Sequence, residues 1–89
     1  MSDNLIRMIK NVRKKMESNI PLLNDEINSI IADRDRSAQR TERILDTLLD
    51  YLGMGIGESQ FLRLNSYYRT FNRENADEYA RFYNEIVDE

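Results

Sequence analysis

Apolar side chains recur along the first third of this chain at steps of three and four: Leu5, Ile9, Val12, Met16, Ile20, Leu23, Ile27 and Ile30. No useful stretch alternates at two, so the period is that of an α-helix with one apolar face. The stripe continues in register through Arg34, Ser37 and Thr41 to Ile44, Leu48 and Tyr51. From Leu23 onward the steps alternate strictly between four and three, a heptad repeat with a polar middle. Pro21 interrupts the early part. Proline's lost amide and its clash with the preceding turn cost nothing in a first turn, so Pro21 reads as a helix start, with Ser18 or Asn19 as cap. The pattern therefore predicts a first helix over 3–17 and a second from residue 20.

Between Pro21 and Gly53 there is neither glycine nor proline. The segment "ADRDRSAQRTER", residues 32–43, holds aspartates and a serine that suit a new helix start, but a reversal there ordinarily uses Gly or Asn. The pairs Asp33–Arg36 and Arg43–Asp46 support a continuous helix. The expectation is one long helix over 20–52. Its roughly 31 residues would span about 46 Å at about 1.5 Å per residue. A compact chain of this length is only about 30 Å across. Such a helix would overhang its own domain and need a second chain to cover it. Ile27, Ile30, Arg34, Ile44 and Leu48 are then the candidate interface of a homodimer. The polar positions Arg34, Ser37 and Thr41 either mark a splayed, wet zone or a layer that fixes register.

All three glycines lie in "LLDYLGMGIGESQFL", at positions 53, 55 and 57. The spacing is not that of a dinucleotide or P-loop, the preceding segment is helical, and Glu58 would repel a phosphate. Gly53 suits a left-handed position just past a helix end, and the cluster reads as a helix-reversal loop. Leu52-Gly53-Met54 also resembles the turn of a helix-turn-helix. That resemblance covers about 20 residues within 44–72, has about two residues too many in the turn, and implies a recognition helix bearing Gln60, Arg63 and Arg69.

All eight aromatic residues lie between Tyr51 and Tyr83. Phe61, Leu64, Tyr68 and Phe71 form one helical stripe and Tyr79, Phe82, Tyr83 and Ile86 another, with Asn75 and Glu78 spaced as a capping box. These predict helices over 58–72 and 76–88 that pack as an aromatic hairpin. The fold expected is all-α: a single small domain over 1–89, with an aliphatic arm (1–52) joined to an aromatic-rich hairpin (58–89).

Composition narrows the chemistry. Cysteine and histidine are both absent, so disulfides, thiolate sites and most nucleophile–base pairs are excluded, and no cofactor or metal is expected. Thirteen basic and sixteen acidic residues nearly balance, but residues 1–20 carry a net +3 and the rest is acidic. Arg7, Lys10, Arg13, Lys14 and Lys15 flank the first apolar stripe, a pattern that can lie on anionic membranes. No Trp or Phe anchors it, so packing against protein is the preferred reading. No apolar run is long enough for a secretory or transmembrane segment. The expectation is a cytoplasmic, non-enzymatic adaptor or regulator that dimerises and binds another protein, with DNA binding through 44–72 as the alternative.

Overall fold

The computed structural model describes residues 2–88 as four α-helices, and no strand occurs among them. They are α1 (Ser2–Ala32), α2 (Ala38–Leu52), α3 (Glu58–Arg69) and α4 (Arg73–Val87). The all-α class and the count of helices agree with the sequence pattern, but the first two boundaries do not. The long helix is α1, and it runs straight through Pro21. Pro21 lies on the exposed side of α1, so the carbonyl deprived of its partner faces water. Buried Leu23, Ile27 and Ile30 hold the following turns against the body.

The expected helix over 20–52 is broken at residues 33–37. The reversal is a Schellman motif: the Asp35 N–H donates to Ile30 O at 2.9 Å and the Arg34 N–H to Ile31 O at 3.2 Å. Its left-handed position, ordinarily glycine, is Arg34, with φ of 53°. A non-glycine residue there costs about 1–2 kcal/mol. Three local bonds offset that cost. The Asp35 carboxylate accepts the Ser37 N–H at 2.9 Å and pairs with Arg40 at 2.9 Å, while Ser37 Oγ caps α2 by accepting the Arg40 N–H at 3.1 Å. Arg34→Gly is expected to raise the unfolding free energy by up to about 1 kcal/mol, after the extra freedom of an unfolded glycine is deducted. Chemical denaturation measures it.

Because the chain turns back here, the residues expected to join two subunits meet within one. Ile27, Ile30 and Leu48 are completely buried and Ile44 nearly so, in a core shared with Leu45, Phe61, Leu64 and Tyr68. The polar layer dissolves likewise. Arg34 is exposed in the turn, Ser37 is the exposed cap of α2, and only Thr41 is buried.

Residues 53–57 reverse the chain, as the glycine cluster implied, though by a different glycine. Gly53 is right-handed (φ −61°), while Gly55 and Gly57 take φ of 73° and 87°. The Gly55 N–H donates to Leu52 O and the Ile56 N–H to Tyr51 O, a second Schellman motif with glycine at its left-handed position. Ile56 tucks into the protein. Helix α4 begins three residues earlier than the sequence pattern placed it. Asn72, rather than Asn75, is its cap, accepting the Asn75 N–H at 3.3 Å.

Helices α3 and α4 pack as the aromatic hairpin. Phe61 stacks on Tyr83 with centroids 5.5 Å apart, and Tyr68 meets Tyr79 edge-on at 6.4 Å. The molecule measures 48 × 27 × 18 Å with a radius of gyration of 14.3 Å. That exceeds the roughly 12 Å of a compact chain of this length. The excess is the N-terminal half of α1, which extends past the other three helices.

Candidate functional site: an exposed apolar arm

Leu5, Ile9, Val12 and Met16 continue, at helical spacing, the face on which Leu23, Ile27 and Ile30 are buried. Met16 is half-buried at the edge of the body, and the residues before it have nothing to cover them. Leu5 is 60 % exposed, Met8 63 % and Val12 47 %, and Ile6 and Ile9 are about half exposed. The arm is held at its root. Arg13 Nη1 donates to Met54 O at 2.9 Å, and Asn19 Nδ2 donates to the Tyr51 hydroxyl at 2.8 Å. Beside that root lies an open depression of about 460 Å³ lined by Val12, Lys15, Met16, Asn19, Leu22 and Tyr51. Leu22, on its rim, is 64 % exposed. The basic side chains Arg7, Lys10, Arg13, Lys14 and Lys15 are exposed along the same arm.

The residues of the DNA-binding alternative are placed differently. Gln60 is half-buried in the first turn of α3. Arg63 donates to the Asn28 side chain of α1, and Arg69 forms an ion pair with Asp77 of α4 at 2.6 Å. Both arginines are exposed but directed to intramolecular partners.

Two further polar sites were not visible in the sequence. Between α2, α3 and α4, the Tyr68 hydroxyl donates to the Glu42 carboxylate, which also accepts from Asn75 at 2.9 Å, and Asn72 donates to the Tyr68 oxygen at 3.1 Å. Nearby, the Tyr79 hydroxyl donates to Asp46 at 2.7 Å. These residues come from three helices, and no local spacing links them. The second site is an open cleft at the α1–α2 turn, lined by Ile31, Arg34, Arg36, Tyr67 and Phe71, where the Arg36 guanidinium lies 5.7 Å from the Phe71 ring centre.

Burial pushes the Tyr68 and Tyr79 hydroxyls above the usual tyrosine range, and the adjoining Glu42 and Asp46 carboxylates push further. The Ser37 N–H, and then Arg40, hold Asp35 below the usual carboxylate range. The sign for tyrosine is that the unfolded hydroxyls ionise near pH 10 while the folded ones keep their protons. Their stabilisation is complete below about pH 10 and is lost as the pH rises toward the folded values. Urea midpoints measured from pH 8 to 11 should fall along the alkaline limb, and less steeply in Tyr79→Phe. Asp35 acts in the opposite direction, its share persisting above about pH 4 and disappearing in acid.

Among the described residues no three His, Cys, Asp or Glu side chains gather as a metal site would need, and no described helix is long and apolar enough to cross a membrane. Comparison with family models, curated proteins and solved structures returns no match.

Proposed function

We propose that this protein is a non-enzymatic, cytoplasmic adaptor or regulator that works by binding other macromolecules and by associating with itself. The observation that carries this reading is the uncovered apolar face of the arm. Five large aliphatic side chains in eight residues, Leu5 to Val12, stand in water on a helix that is buried further along at Leu23, Ile27 and Ile30. A contiguous exposed patch of this kind marks an interaction surface far more often than a catalytic one. The reversal at residues 33–37 removes the long central helix as a reason for self-association, and transfers that reason to the arm.

The test compares the protein with a Val12→Asp variant. Val12 is exposed, so the body of the variant stays folded, which its thermal melt checks. Sedimentation equilibrium should show concentration-dependent association of the protein and loss of it in the variant. Immobilised protein should also retain a cellular partner that the variant releases. Equal behaviour of the two in both measurements would overturn the reading.

DNA recognition through 44–72 is the second reading, favoured only by the consecutive arrangement of α2 and α3 across a five-residue turn. A mobility-shift titration across a salt series is expected to show no tight, salt-sensitive complex. A complex that Arg63→Ala and Arg69→Ala both weaken would establish the alternative.

A further inference from the structure

We infer that the occupant of the arm's apolar face is the arm of a second copy, running antiparallel, with its tip seated in the depression at the arm root. This rests on the reading of the arm as a self-association surface and adds the partner, the orientation and the register.

Orientation follows from where the body sits. Leu5, Ile9, Val12 and Met16 share their face with Leu23, Ile27 and Ile30, which the body covers. The seam therefore lies on the body's side of α1. Two arms paired in parallel would direct both bodies into the same space between the helices. Antiparallel pairing sends the bodies to opposite ends of a two-fold dimer, an isologous contact that closes on itself.

Charge leads to the same arrangement. The arm, residues 2–18, carries five basic and two acidic side chains, a net +3, while residues 19–89 carry eight basic and fourteen acidic, a net −6. Parallel pairing would set Arg13 and Lys15, the basic side chains that flank the apolar seam, beside their own copies. Antiparallel pairing brings each basic arm up to the acidic body of its partner, near exposed Asp50 beside the Tyr51 rim.

The depression sets the register. Its lining is centred one turn beyond Val12, near Met16. Placing the partner's Leu5 against Met16 puts Ile9 against the partner's Val12 and brings Met8 toward the flank occupied by Val12 and Lys15. Each copy then supplies the apolar side chain that fills the other's depression, and two of the most exposed large apolar residues, Met8 and Leu5, are covered together.

The chain has no cysteine, so single thiols report the pairing without interference. Leu5→Cys and Met16→Cys chains, both exchangeable at positions outside the fully buried core, are mixed and oxidised. The expected product is the Leu5→Cys/Met16→Cys mixed dimer, well in excess of a random mixture, with little disulfide from Leu5→Cys alone. In sedimentation, Val12→Asp should raise the dimer dissociation constant at least ~100-fold, because each interface would bury two unpaired carboxylates. A dimer that gives Leu5→Cys homodisulfides, or no disulfide, would overturn the antiparallel register while leaving self-association standing. A chain monomeric throughout the micromolar range, or a monomer whose arm instead co-sediments with vesicles of anionic phospholipid, would overturn both.

Discussion

Ile30→Ala is expected to lower the unfolding free energy by about 2–5 kcal/mol, the range for deleting a buried isoleucine side chain from a rigid core. Ile30 is completely buried on α1 among residues of the same chain. Burial by one's own chain makes this loss differ from that of an interface residue. It should be the same in the Val12→Asp background, where arm pairing is abolished, and there it should not change between dilute and concentrated solution. Ile44→Ala should behave likewise, and because Ile30 and Ile44 belong to one core cluster, the double variant should depart from additivity. Denaturant midpoints at two protein concentrations in both backgrounds decide the matter. A loss that grows on dilution with the arm disabled would place these residues between subunits after all.

Gly57→Ala is expected to cost about 2–4 kcal/mol, and Gly55→Ala only about 1 kcal/mol. Both glycines are left-handed, so both substitutions strain the backbone. They differ in what an added methyl group meets. At Gly55 there is nothing within 4 Å, whereas at Gly57 the new carbon would lie 2.9 Å from Cδ2 of Leu48 and 3.5 Å from Cδ1 of Ile20. Leu48 is fully buried on the inner face of α2, so its terminal methyl can give way only against packed neighbours. The gap between the two variants therefore measures overpacking separately from backbone strain. Equal losses would mean that Leu48 adjusts freely and that the close approach of the loop is unimportant.

Much of this fold was legible from one dimension. The step of three and four picked out Ile27, Ile30, Ile44, Leu48, Phe61, Leu64 and Tyr68 as inward positions, and all are buried, but it passed over Leu45, Leu52 and Asn65, which are buried too. The glycine cluster marked the second reversal. The first reversal was hidden because its left-handed position holds Arg34, held in place by Asp35, Ser37 and Arg40, where composition alone suggests a continuous helix. Pro21 misled in the opposite direction, because whether a mid-helix proline is tolerated depends on whether the freed carbonyl faces water. Asn75 was read as the cap because Glu78 follows it at capping-box spacing, whereas the cap in the structure is Asn72, which has no Glu or Gln three residues on to mark it.

The candidate surface was half legible. The basic amphipathic character of residues 5–16 is plain in the sequence, but whether that stripe is core or surface is not, since its spacing is the same as that of residues 23–30. By itself, the sequence determined the all-helical class, the face of each helix that seeks cover, the separation of a basic arm from an acidic body, and the absence of thiol and imidazole chemistry. These are properties of residue type and of spacing along a chain whose local geometry repeats every 3.6 residues. The tertiary structure alone decided where the stripe changes from buried to bare. Burial depends on the distance from the body that α2, α3 and α4 enclose, and that body ends near Arg13 and Asn19, leaving the first turns of α1 beyond its reach.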